Sequence, residues 1–128
     1  MLRRATVEVA GRPARYIAAG AGPAVVFVHG LGLSGGFFRS HCKAFARAGF
    51  LALAPDLPGF GRSPGPRFGL SVAETAEWLV ALASELGLGR VVWVGHSLAA
   101  QATLEAAVLA PSRTRALVLV TPTGAPGR

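Results

Sequence analysis

The sequence predicts an α/β domain in which a β-hairpin precedes a parallel β-sheet with crossover helices. Two observations carry that prediction. Four short runs, at 24–28, 50–54, 91–94 and 116–120, are continuously apolar, without the polar alternation of a strand that faces water on one side. Segments with helical spacing of apolar residues lie between them, and strands that alternate with helices in this way pair in parallel.

Each element has a local reason. Residues 5–10 and 14–19 are short, partly alternating stretches around Gly11-Arg12-Pro13, which reads as a hairpin with its turn at those three residues. Gly20-Ala21-Gly22-Pro23 breaks the chain before the first buried strand, 24–28, which ends at His29-Gly30 in a glycine-rich loop. Residues 37–48 form a helix with Phe38, Cys42, Phe45 and Ala46 on one face and Gly49 beyond its C-cap. After the strand at 50–54, the prolines and glycines of 55–69 read as an exposed loop. Ser71 followed by Glu74 is a capping box that opens a helix running through Leu86, with Val72, Ala76, Leu79, Ala83 and Leu86 inward. Strand 91–94, helix 98–110 and strand 116–120 follow, with Pro111 separating the last two; the tail 121–128 is turn-like. Trp78 and Trp93 fall at core positions.

The chain of 128 residues is 52% apolar, enough to bury a core without disulfides or a metal, and it is read as one domain over 1–128. Cys42 stands alone, which excludes a disulfide framework and a cysteine zinc site. Thirteen Lys and Arg against six Asp and Glu give a net charge of +7. The basic residues are scattered, with no run longer than two and no aromatic interleaving, so they read as solvated side chains and nucleic-acid binding is not expected. No apolar run approaches the ~18 residues of a membrane helix, and the basic start is interrupted before any signal-like apolar region. The expectation is a cytoplasmic protein without membrane association.

Three loops at strand ends carry the chemistry. Gly95-His96-Ser97-Leu98-Ala99 lies where strand VVWV meets helix LAAQATLEAAVLA, a context in which a serine can sit on a sharp turn with its hydroxyl lifted clear of the sheet. Small neighbours are needed there because the turn strains the backbone. His29-Gly30-Leu31-Gly32 ends an earlier strand and can offer a backbone N–H, with Leu98 as the second donor, to an oxyanion formed at the serine. Asp56-Leu57-Pro58-Gly59-Phe60-Gly61-Arg62-Ser63 follows the next strand as a tight loop at the same edge.

HGLGLSGG, DLPGFGRS and GHSLA, in that order and at those strand ends, resemble the α/β-hydrolase superfamily, close to its esterase, haloperoxidase-like and C–C bond hydrolase members. The resemblance runs from about residue 5 to residue 120. It implies an incomplete α/β-hydrolase fold in its N-terminal half, with Ser97 as nucleophile, the Leu31 and Leu98 amides as oxyanion hole, and Gly95, His96, Ala99, His29 and Gly30 as structural residues of the elbow and loop. Asp56 to Ser63 would be a structural loop. Ala99 departs from the family, which usually has glycine there, and implies a slightly tighter elbow. The serine argues against the dehalogenase and epoxide hydrolase branches, which use aspartate at that position. No cofactor and no metal are implied.

In the family the acid and the base histidine follow the serine in that order. Here only Glu105 follows Ser97 among carboxylates, and no histidine does. His96 should point to the opposite face from its neighbour, His29 is the nearest substitute base, and His41 reads as ordinary surface. The expectation is therefore a nucleophile without its triad: a serine hydrolase acting on a small ester or related carbonyl through an acyl-enzyme, inactive or nearly so over these residues alone. Its partners would be that substrate and either a complementing C-terminal half or a second copy at an exposed sheet edge. Two alternatives stay open. One is a non-catalytic remnant or binding module of the same fold. The other is a dinucleotide-binding domain, because Gly30-x-Gly32-x-x-Gly35 after a buried strand, with Asp56 after the next, is a literal dinucleotide fingerprint.

Overall fold

The computed structural model describes residues 1–30, 32–66 and 69–120. They form one six-stranded sheet, β1 (Leu2–Val9), β2 (Arg12–Gly20), β3 (Ala24–Val28), β4 (Leu51–Pro55), β5 (Val91–His96) and β6 (Thr114–Val120), in the order β1-β2-β4-β3-β5-β6. The hairpin β1-β2 is antiparallel and joins β4 antiparallel, whereas β4, β3, β5 and β6 run parallel. Parallel neighbours need crossovers, and helices α1 (Arg39–Arg47), α2 (Val72–Glu85) and α3 (Ala99–Leu109) supply them.

Strands β3, β4 and β5 are buried on both faces, as their apolar runs require, whereas β6, with an equally apolar run, is largely exposed at the sheet edge. Val26 and Val28 pack with Leu79, Leu82 and Trp93 beneath α2 and α3, while the alternate residues Val25 and Phe27 pack with Phe38 and Cys42 beneath α1. Burial pushes the Cys42 thiol up to about 11, so it stays protonated and inert at neutral pH. Trp93 is fully buried, and its indole N–H donates to the Thr114 hydroxyl at 3.1 Å.

The capping box forms as the spacing predicts, with Glu74 N–H donating to Ser71 Oγ and Ser71 N–H to Glu74 Oε1. Helix α2 buries more than the expected stripe, because Thr75, Trp78 and Leu82 turn inward as well. Three expectations need correction. The hairpin turn is Ala10-Gly11, with φ of 51° and 80°, so Arg12 and Pro13 already belong to β2, where Pro13 pairs with Glu8. A two-residue turn with both φ positive matches the twist of the strands better than a longer loop. The stretch 37–48 begins as a 3-10 turn (Gly35–Phe38) and becomes α-helical only at Arg39. Finally, the loop after β4 is not simply exposed: Leu57 and Ser63 are buried in it. The turn-like tail expected at 121–128 lies outside the described residues.

Among the described residues β6 is an edge strand, and its Val118, Leu119 and Val120 are each at least 40% exposed. Leu104, Val108 and Leu109 of α3 are exposed beside it. No helix among the described residues is long and apolar enough to cross a membrane.

Alanine at φ 51° in the hairpin turn is strained where asparagine is tolerated. Ala10→Asn is expected to stabilise the protein by roughly 0.5–1 kcal/mol, read as a higher midpoint in urea unfolding.

Candidate active site

Strand β5 ends at His96, and the chain turns at once into α3. Ser97, at the turn, has φ 60°. Ala10 and Ser97 are the non-glycine residues with positive φ among those described, and Ser97 has no hairpin to require it. What holds it is close backbone approach. A Cβ at Gly95 would overlap the Thr103 hydroxyl and lie 2.8 Å from Ala100 Cα, so only glycine lets α3 start this close to β5. A Cβ at Gly30 would come within 2.9 Å of Ser97 Cβ, which places the loop after β3 against the serine. The Ser97 N–H donates to Val120 O at 3.0 Å, and Ser97 O accepts from Ala100 N–H at 3.0 Å, so β6 and the first turn of α3 clamp the turn from both sides.

The Leu98 N–H makes no hydrogen bond among the described residues, and it opens the helix that follows the serine. Leu31, expected as the second donor, lies outside the described residues. Ala99 is buried at the first position of α3 and lines a small apolar cavity of about 50 Å³ together with Leu98, Gly30, Leu57 and Phe60. Of the two phenylalanines after the loop, Phe38 is buried in the α1-side core and Phe37 is 47% exposed.

The three histidines occupy three different places. His29 is fully buried and joins two loops: its Nε2 accepts from Leu57 N–H at 2.9 Å and its Nδ1 donates to Gly30 O at 2.8 Å. A backbone N–H can only donate, so Nε2 carries no proton and the neutral ring is the Nδ1–H tautomer. Burial pushes its pKa below the ordinary 6.5, against the opposing pull of the Gly30 carbonyl and the Asp56 charge. Both nitrogens are occupied, which leaves none to take a proton from a serine. His96 turns toward η1, the 3-10 turn at Gly35–Phe38, stacking on Phe37 at 5.0 Å, and its Nδ1 is buried without a hydrogen-bond partner among the described residues. His41 is on the exposed side of α1 against Phe27 and Phe38.

Asp56 is equally occupied. Its Oδ1 accepts from Gly35 N–H at 2.7 Å and its Oδ2 from Arg62 N–H at 2.8 Å, so one carboxylate ties the end of β4 to the loop before α1 and to its own loop. Ser63 Oγ adds a bond from Arg15 N–H at 2.9 Å. These ties dispose of the dinucleotide fingerprint: the amide of Gly35 and the carboxylate of Asp56, which a pyrophosphate and a ribose would need, are bonded to each other. The strand order disagrees too, because the third parallel strand, β5, lies beside the first and not beyond the second as a Rossmann sheet requires. Sequence reasoning missed these clamps. Asp56 and Gly35 lie 21 positions apart, and no local pattern marks the pair. Among the described residues no group of three or more metal-ligating side chains converges.

Residues 23–127 match the family model described as the alpha/beta hydrolase fold, and the chain belongs to that family. It is 37% identical over 100 residues to an epoxide hydrolase of Caballeronia sordidicola, a match that covers 77% of this chain and 30% of that protein. Among solved structures it resembles an epoxide hydrolase from Vigna radiata at 30% identity and a TM-score of 0.82, covering 92% of this chain and 39% of that one. A membrane phospholipase A described as a bacterial virulence factor superimposes with a TM-score of 0.93 at 25% identity, covering 99% of this chain and 42% of that one. The chain thus spans less than half the length of the relatives it matches.

Ser97→Gly removes the strain of a left-handed serine and is expected to stabilise the fold by up to about 1 kcal/mol, whereas Ser97→Val destabilises it; thermal melts of the two variants distinguish them. Because its folded pKa lies below the ordinary 6.5, His29 contributes stability that is complete above that pH and is lost as pH falls toward its lowered folded value. The urea midpoint should therefore drop between pH 7.5 and pH 5, and His29→Gln should flatten that part of the dependence.

Proposed function

We propose that Ser97 is the nucleophile of a serine hydrolase acting on a small ester or related carbonyl compound. The observation that carries this reading is the left-handed φ of 60° at a serine held between a strand and a helix, with glycines at 95 and 30 making room for it. Strain of this kind persists only where the surroundings over-determine it, and it raises a side chain clear of the sheet edge. In the proposed reaction Ser97 Oγ attacks the carbonyl carbon as its proton passes to a base. The carbonyl oxygen becomes an oxyanion received by the Leu98 N–H and by the Leu31 N–H, the alcohol leaves, and water then hydrolyses the acyl-serine. The apolar cavity beside Leu98 and Ala99 accepts a small apolar part of the substrate.

The epoxide hydrolases among the relatives suggest a different electrophile, and the chemistry of serine favours the ester. An alkoxide that opened an epoxide would leave an ether on the protein, with no carbonyl through which water could release it. An acyl-serine has that carbonyl.

The base and the acid are assigned to polypeptide that packs against β6, because both ring nitrogens of His29 are bonded and His41 and His96 pack on phenylalanines of the α1 side. The exposed apolar edge of β6 and the neighbouring face of α3 are where such polypeptide would dock, whether it belongs to the same chain, to a complementing chain or to a second copy.

The test is a fluorophosphonate probe applied to the native protein from its source, with the labelled residue and the intact mass read by mass spectrometry. Labelling at Ser97 supports the assignment, and labelling elsewhere or none overturns it. For these 128 residues alone, ester hydrolysis is expected to stay within about tenfold of the Ser97→Ala variant, since an oxyanion hole without a base gives only residual acceleration.

A further inference from the structure

On the α1 side of the sheet, four arginines line one cleft of about 250 Å³: Arg4, Arg15, Arg39 and Arg62. They come from distant parts of the chain and meet for reasons of register. Arg4 pairs with Ile17 across the hairpin, Arg15 is two residues from Ile17 on the same strand face, and Ile17 packs into the α1-side core, so both arginines flank it on that face. Arg39 is the first residue of α1, and Arg62 is brought in by the loop that Asp56 clamps.

Among the described residues none of the four guanidinium groups makes a hydrogen bond or an ion pair. The carboxylate in the cleft is Asp56, and its two oxygens are already bonded to the N–H groups of Gly35 and Arg62. Four cationic side chains therefore share the cleft with one carboxylate, each oxygen of which already accepts a backbone N–H. Arg39 also sits at the positive end of α1, whose first turn has no acidic residue, the arrangement least favourable to the helix by itself. A ligand with several negative oxygens would relieve this repulsion and meet donors in the planar fork geometry that suits phosphate. The Ser34 hydroxyl lines the same cleft and caps no helix.

We propose that this cleft is a binding site for a phosphate-bearing ligand, held by Arg4, Arg15, Arg39 and Arg62. It is separate from the serine but linked to it by packing: Gly36 on its wall precedes Phe37, whose ring stacks on His96 next to Ser97. The binding does not depend on the role proposed for Ser97, and its test reads no turnover.

The full chain is titrated calorimetrically with inorganic pyrophosphate at about 50 mM salt, with saturable binding expected and an affinity that falls as salt is raised. Arg4 and Arg39 are exposed, so their replacement spares the core. The R4Q/R39Q variant should bind at least about tenfold more weakly, while Arg47→Gln, at the other end of α1, leaves the affinity unchanged. R4K/R39K keeps the charge without the planar fork and should bind more weakly than the native chain but more tightly than R4Q/R39Q, which also preserves the test if the glutamine pair does not fold. A parallel arm uses vesicles of phosphatidylglycerol in phosphatidylcholine. Association that pyrophosphate displaces identifies a lipid headgroup as the natural source, and pyrophosphate binding without vesicle association identifies a soluble phosphate ester. Absence of saturable pyrophosphate binding, or an equal loss in Arg47→Gln, overturns the proposal.

Discussion

Close backbone approach between the ends of β3 and β5 is the constraint on which the rest of the site depends. Gly95 lets α3 begin against the strand, Gly30 lets the loop after β3 lie against Ser97, and the Ser97 N–H reaches across to Val120. Remove any of these and the serine loses its reason to stay left-handed, because an ordinary residue prefers another conformation by about 1–2 kcal/mol. The surrounding packing offsets that preference. A Leu98 N–H without a partner among the described residues follows from the same turn, since the first amides of a helix have no partner within it. Strain and donor are thus two results of one geometry.

The loops around this elbow hold one another through buried or half-buried polar groups used to capacity. His29 bonds through both ring nitrogens and Asp56 through both oxygens, in each case once to backbone of its own loop and once to backbone of a neighbouring loop. Such groups make a firm scaffold and poor catalysts, because a base needs a vacant lone pair directed at the reacting proton. The same residue types that look reactive in the sequence are the ones that fasten the edge of the sheet. Loss of the proton-poor state of His29 on acidification would strike these ties first.

The charge of the protein is distributed with similar consequence. Four arginines that lie far apart in the chain gather on the α1 side at the mouth of the sheet, whereas the apolar surface gathers at β6 and α3 on the opposite side of the sheet order. One end offers a cation cluster beside the loops, and the other offers an edge open to more polypeptide.

Much of the fold was legible in the sequence. The run at 24–28 matches β3 residue for residue, the Ser71–Glu74 spacing places the start of α2, and the alternation of apolar runs with helical segments dictates parallel pairing. These are local signals, written in a few consecutive side chains. The sharp turn at Ser97 was legible for the same reason, since strand, small residue, serine and helix are contiguous. What only the tertiary structure decided are the relations between segments far apart in the chain: Asp56 with Gly35, Leu57 with His29, Ser63 with Arg15, and the meeting of Arg4 with Arg62. Periodicity reports which face a side chain takes, but which partner it finds there depends on strand order and register, and those are fixed only when the whole sheet assembles.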